Sequence, residues 1–220
     1  VNDVIYSDTG GPVRNPTVTP KPVVLNGTAT ASASASDAMS GVASQGCGPV
    51  VTSAVGTFTV TCTATDVAGN TSTATATYSV VFASGICLGE PSRMVLQPVN
   101  ADGSSVFKRS STVAVKFRVC DARGLAIDAA DVVTPPSPSR HPADCTVPLP
   151  VPTPTTRAPV LCTRAPTGGS TVNESVDSTT PDTNFRWGGF GAQWLFNLGT
   201  KNLSAGFQYG YYIPLKDGTI

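Results

Sequence analysis

Gly56-Thr57-Phe58-Thr59-Val60-Thr61-Cys62-Thr63-Ala64-Thr65-Asp66-Val67-Ala68-Gly69-Asn70 decides the fold of this chain. Apolar side chains take the even positions from Phe58 to Ala64, and Thr takes every odd one. A period of two sets one face against a core and the other in water. Thr suits the wet face, because its β-branch favours the pleated sheet while its hydroxyl stays hydrated. Residues 66–70 then turn the chain and residues 71–80 alternate again, which reads as a β-hairpin with a five-residue connection.

Upstream, residues 29–36 alternate among Ala, Ser and Thr, a strand with little to bury, and Gly46, Gly48 and Pro49 mark a turn. Downstream, Val113, Val115, Phe117 and Val119 alternate with Ala114, Lys116 and Arg118, a strand with a charged outer face. Trp194, Phe196 and Leu198 repeat the period, followed by Phe207, Tyr209, Tyr211, Ile213 and Leu215. These large side chains supply core area that the small-residue first half lacks. The expected fold class is all-β.

Composition narrows the function. The 220 residues are 13% charged, with 14 Lys and Arg against 14 Asp and Glu and a single His. Ordinary domains carry about a quarter charged residues, so the surface here is built from Thr, Ser, Gly and Pro. Zero net charge without a basic cluster argues against nucleic acid or an anionic membrane as the main partner. No run approaches the ~18 apolar residues of a membrane helix. The chain opens at Val1 without a basic-then-apolar leader and is expected to be a processed or trimmed product.

Six cysteines, Cys47, Cys62, Cys87, Cys120, Cys145 and Cys162, include no CxxC pair, and only His141 is present to complete a zinc set. An even count on such a surface points to disulfides, and hence to an oxidising compartment outside the cell or at its surface. Six cysteines allow fifteen pairings, and we expect the sequential one.

The stretch 56–70, preceded by Ser36-Asp37 and Gly46-Cys47-Gly48-Pro49, resembles the hyalin-repeat (HYR) and related bacterial Ig-like modules over about sixty residues. The resemblance implies an Ig-like β-sandwich of extracellular or adhesive proteins, with a bridge from Cys47 to Cys62. Further on, Ser110-Ser111-Thr112-Val113-Ala114-Val115-Lys116-Phe117-Arg118-Val119-Cys120-Asp121-Ala122-Arg123-Gly124 resembles the PxKF domain, a secreted bacterial β-module, together with Phe185-Arg186-Trp187, Gln193-Trp194-Leu195-Phe196-Asn197 and Lys201-Asn202-Leu203. Ala114 stands where that family's Pro would be, a mild departure because Pro is awkward within a strand. The family usually runs past residues 216–220 into one more apolar strand, and this chain stops there.

The expected organisation is therefore two tandem Ig-like β-sandwich domains, stabilised by disulfides. Residues 1–22 form an N-terminal extension, 23–83 the HYR-like domain, and 84–220 the PxKF-like sandwich with a Pro-rich insertion at 134–168. Each Pro removes a backbone donor, so residues 135–166 read as a polyproline-like surface excursion that cannot form a central strand, pinned by Cys145 and Cys162.

Catalytic groups are sparse, and no enzymatic role or cofactor is expected. His141, the only imidazole, lies between Arg140 and Pro142. Asp102, Asp121, Asp128, Asp131, Glu174, Asp177 and Asp182 read as turn and cap residues. Calcium has two candidate turns, Asp66 with Asn70 and Asp102 within Asn100-Ala101-Asp102-Gly103, but neither reaches the oxygen density of an EF-hand loop. Asn26, Asn70, Asn173 and Asn202 each begin an Asn-x-Ser/Thr sequon. Trp187, Trp194, Tyr209, Tyr211 and Tyr212 fit a core and its rim better than a sugar-stacking platform.

A sandwich short of its last strand leaves an acceptor edge at Phe207, Tyr209, Tyr211, Ile213 and Leu215. Val1, Val4, Ile5 and Tyr6, tethered by Gly10-Gly11-Pro12, form the matching donor strand. Donor and acceptor differ, so the contact is head-to-tail and builds an open filament of copies of the chain. The alternative is an accessory module of a larger surface protein that binds a glycan or receptor through Trp187 or Tyr212.

Overall fold

A computed structural model describes residues 7–102, 104–129, 132–134, 147–148, 160–166 and 180–218. Every regular element among them is a strand. The chain divides into two units, Val1–Phe82 and Ala83–Ile220.

The first unit holds β1 (Val13–Arg14), β2 (Thr17–Thr19), β3 (Val23–Val24), β4 (Thr30–Ser32), β5 (Ala35–Ser36), β6 (Val42–Cys47), β7 (Gly56–Asp66) and β8 (Thr71–Val81). The hairpin is β7 and β8, in unbroken register from Gly56 opposite Val80 to Thr65 opposite Thr71. Val60, Cys62 and Ala64 are buried while Thr57, Thr59, Thr61 and Thr63 are exposed, as the period requires. Thr59, Thr61 and Thr63 face Thr77, Thr75 and Thr73 across the ladder. Such pairs are each worth about 0.2–1 kcal/mol. Tyr78 fills the core, and its hydroxyl accepts from Val51 N–H at 2.8 Å and donates to Val51 C=O at 3.1 Å.

β6 completes the four-stranded sheet β3-β8-β7-β6 and places Cys47 opposite Cys62, to which it is bridged. Gly46 does not turn the chain: it lies within β6 opposite Thr63, and its lack of a side chain is harmless on this exposed edge strand. Residues 29–36 are two strands rather than one, broken at Ser34, whose φ of 46° is left-handed.

Residues 7–22, expected to be an extension, belong to the sandwich. β1 pairs with β5 and β2 with β4, and these ladders supply the second layer, with Pro12, Val18 and Ala33 buried. β3 runs parallel to β8. Ser72 Oγ donates to Pro12 C=O near the start of β8, and Leu25 N–H donates to Val81 C=O at its end. Residues 8–25 thus track β8 along its whole length in the same direction.

The second unit contains β9 (Ile86–Cys87), β10 (Glu90–Pro91), β11 (Val95–Leu96), β12 (Thr112–Phe117), β13 (Val147–Pro148), β14 (Val160–Pro166), β15 (Arg186–Gly188), β16 (Gln193–Gly199) and β17 (Phe207–Tyr212). One sheet has the order β11-β12-β16-β15 and a second the order β13-β14-β17. Val113, Val115 and Phe117 of β12 face Leu198, Phe196 and Trp194 of β16, so two alternating strands bury one common face. Phe185 joins them, its ring centroid 5.2 Å from those of both Phe117 and Phe196. Cys87 is bridged to Cys120 at a Cα separation of 5.6 Å, and both are fully buried. Arg93 forms an ion pair with the buried carboxylate of Asp217 at 3.2 Å.

Part of the Pro-rich insertion departs from expectation. β14 is the central strand of its sheet, between β13 and β17. Val160-Leu161-Cys162-Thr163 carries no Pro, and Pro166 sits beyond a register irregularity, so the ladder loses no donor where pairing is continuous. The bridge from Cys145 to Cys162 lies outside the described residues, because Cys145 does.

Candidate functional site

Three turns far apart in sequence bring carboxylates together at one end of the first sandwich. Asp37 follows β5, and its Oδ1 accepts from the N–H groups of Met39, Ser40 and Gly41 at 3.1, 2.8 and 2.9 Å. Asp66 closes β7, where Oδ1 accepts from Asn70 N–H at 2.7 Å and Oδ2 from Asn70 Nδ2 at 2.9 Å. Each turn needs a left-handed residue, Gly41 at φ 80° and Gly69 at φ 91°, a conformation glycine adopts without cost. Val67 N–H donates to Gly41 C=O at 3.0 Å and ties the two turns together.

Asp8 arrives on the incoming chain. Its Oδ1 accepts from Gly10 N–H at 3.0 Å, and its main-chain carbonyl accepts from Asn70 Nδ2 at 3.1 Å. One oxygen from each of Asp8, Asp37 and Asp66 then lies within 4.8 Å of the others. Asp66 is 2% exposed and the other two are half-buried. Asp8 Oδ2 is buried and meets no donor in hydrogen-bonding geometry. The adjacent Ser40 hydroxyl, with Gly10 N–H, holds the Asp8 carboxyl below the usual carboxylate range, so it is an anion at neutral pH. None of the ion pairs among the described residues, Arg93–Asp217, Arg123–Asp121 and Arg186–Asp182, reaches this cluster. Three carboxylates without a basic partner form an oxygen-only donor set of the kind that suits hard cations.

The sequence singles out Asp66 and Asn70 but neither Asp8 nor Asp37. Asn70 faces the carboxylate with its N–H groups, so it supports Asp66 rather than adding a ligand oxygen, and its sequon amide is spent inward. The second calcium candidate is a turn: Asp102 Oδ1 accepts from Ser104 N–H at 2.9 Å. Asp121 and Asp182 also serve backbone, accepting from Arg123 and Leu125 N–H and from Asn197 N–H respectively. His141, Asp131, Glu174 and Asp177 lie outside the described residues.

Among the aromatics, Trp194 is buried, donates Nε1–H to Ile127 C=O at 3.0 Å and packs edge-on against Trp187 at 5.6 Å, which removes it from any sugar platform. Of the expected acceptor edge, Phe207, Tyr209 and Tyr211 fall in β17, the outer strand of its sheet among the described residues. Ile213 is half-buried just beyond it. Leu215 is not part of an open edge: it is 4% exposed and bridged to Val133, with Thr134 N–H donating to Pro214 C=O and Lys216 N–H to Val132 C=O. The chain's own residues 132–134 already pair there. Val1, Val4, Ile5 and Tyr6 lie outside the described residues. Comparison of the chain with family models, curated proteins and solved structures finds no match to any of them.

Proposed function

We propose that this chain is an extracellular structural or adhesive β-protein whose copies join head to tail by strand addition along β17. The observation that carries the reading is the position of β17: it pairs with β14 on one side, and no described strand pairs with it on the other. A row of unpaired main-chain groups is a template for another strand. Phe207 at its start is 42% exposed, an apolar side chain that an added strand would cover. The two disulfides fit an oxidising compartment, and the resemblance to HYR and PxKF modules accords with a surface protein. Because residues 132–134 pair at Leu215, the accepting segment is confined to residues 207–213.

Negative-stain electron microscopy of the full chain at micromolar concentration, without reductant, tests the proposal. Regular filaments that disappear on deleting residues 1–6 support it, while dispersed monomers from the intact chain refute it. A second reading, a glycan- or receptor-binding module, draws on Phe190. This side chain is fully exposed at the β15–β16 turn, at 103%, three residues after half-buried Trp187. Arg118 braces that turn by donating Nε–H and a terminal N–H to Gly191 C=O. Glycan-array binding abolished by Phe190→Ala and by Trp187→Ala would favour it.

A further inference from the structure

We propose that the outer face of the sheet β11-β12-β16-β15 binds an acidic polysaccharide, one that carries carboxylates along its length. The inference rests on the glycan-binding reading of Phe190 and names the class of glycan. Strand register brings the basic side chains together. Leu96 is opposite Lys116, Lys116 opposite Leu195, and Leu195 opposite Arg186, so the four form one row across the sheet. Val115 and Phe117, on either side of Lys116, are buried, which puts the row on the face turned away from the core. Arg118 follows on the same side, flanked by buried Phe117 and Val119, and reaches the β15–β16 turn. There its Nε–H and a terminal N–H meet Gly191 C=O at 3.1 and 2.9 Å. Phe190 stands on that braced turn with its whole side chain in solvent.

The charge on this face is largely uncompensated. The ion pairs among the described residues are Arg93–Asp217, Arg123–Asp121 and Arg186–Asp182, and none involves Lys116 or Arg118. Arg186 is only partly engaged: its Nε donates to Asp182 Oδ2 at 3.3 Å, and its side chain remains 49% exposed. Positive side chains grouped without carboxylates between them draw an anionic partner.

The sheet decides the kind of anion. β12 and β16 are its two inner strands, with ladders on both sides, so an acidic peptide cannot join this face by strand addition. The face offers instead a row in which cations alternate with leucines, and an exposed aromatic ring beside Arg118's turn. Lys116 and Arg186 are two strand spacings apart, about 10 Å. A sugar polymer with an acid group on each unit reaches both at once, and it lays its apolar C–H faces on the leucines and the Phe190 ring. Each exposed charge contact is weak, and several engaged together make the binding.

Polygalacturonate is titrated into the full chain by calorimetry, beside its methyl ester, in which the same backbone is uncharged. The expected result is binding of the acid form at least tenfold tighter than the ester, weakened at least tenfold when salt is raised from about 0.05 to about 0.5 M. Lys116→Gln should weaken it at least threefold and Lys116→Gln with Arg186→Gln at least tenfold, with the tryptophan unfolding transition unchanged. Arg118 is left intact because it also braces the turn. Equal affinity for acid and ester, or undiminished binding by the double variant, overturns the proposal. If binding to both forms is then lost in Phe190→Ala, the glycan reading survives without its acidic specificity. No binding to either polymer overturns the proposal, and a blank glycan array in addition removes the reading it rests on. Equal binding of polyglutamate or of vesicles containing phosphatidylserine would show that charge alone is recognised, and this too overturns it.

Discussion

Replacing Cys87 and Cys120 together by Ala opens a covalent loop spanning 33 residues, whereas replacing Cys47 and Cys62 opens one spanning 15. In the chain-entropy account a bridge acts by restricting the unfolded chain, with a benefit that grows as the logarithm of loop length. For these two lengths it amounts to about 4 and about 3 kcal/mol at 25 °C. Ala is the right replacement, because Cys62, Cys87 and Cys120 are fully buried and Ser would bring an unpaired hydroxyl into the core. With a urea slope of about 1–3 kcal/mol per M, each double substitution should lower its unfolding midpoint by roughly 1–4 M.

The bridges lie in different units, and both tryptophans, Trp187 and Trp194, lie in the second. Tryptophan fluorescence therefore reports the second unit alone, while far-UV circular dichroism reports both. Loss of Cys87–Cys120 should move the fluorescence transition, and loss of Cys47–Cys62 should move only the remaining dichroism transition. A greater cost for the shorter loop, or a shift of less than about 1 kcal/mol in either unit, would refute the reasoning.

Tyr78→Phe removes a hydroxyl that both donates to and accepts from Val51, and should cost about 1–2 kcal/mol in the first unit by urea unfolding; an unchanged midpoint would mean that water already serves those groups. Phe117→Ala, at the centre of the Phe185 and Phe196 cluster, should cost about 3–5 kcal/mol, read from the tryptophan transition, and a cost under 1 kcal/mol would show a core that collapses freely. Hydrogen bonds from the Ser104 hydroxyl and N–H hold the Asp102 carboxyl below its ordinary 3.8. Its contribution to stability is thus present above that value and lost as pH falls through the lower, folded one. Carboxyl-carbon NMR should show Asp102 titrating below 3.8, and an inflection at or above that value would contradict the contact.

Strands that bury one face strongly were legible in the sequence. The hairpin of β7 and β8, and the facing runs of β12 and β16, carry alternation long enough to set their own register. Short pieces escaped for a physical reason. β1, β2 and β3 are two or three residues each, too brief for a period to declare itself, and their place in the sandwich comes from long-range pairing with β5, β4 and β8. β14 was hidden because Pro dominates the composition around it while its own paired core contains none. The carboxylate cluster was half legible: Asp66 stands in a marked turn, but nothing local announces that Asp8, 58 residues earlier in the chain, folds back to meet it. Only the cap pattern of Asp37 over Ser40 and Gly41 was a usable signal, and it speaks of a turn rather than of a site.

The parallel run of residues 8–25 beside β8 also has a mechanical meaning. Chain enters the first unit beside the 66–70 turn and leaves it after Val81 at the far end of β8, an eleven-residue strand about 35 Å long. Tension applied between those points pulls β3 and β8 in opposite senses along their shared axis. The bonds joining Val23, Val24 and Leu25 to the end of β8 are then loaded together, in shear, instead of opening one after another as in an unzipped hairpin. The first unit is thus arranged to carry a pulling force along its length, with the Cys47–Cys62 bridge on the opposite edge strand, outside the path of the load.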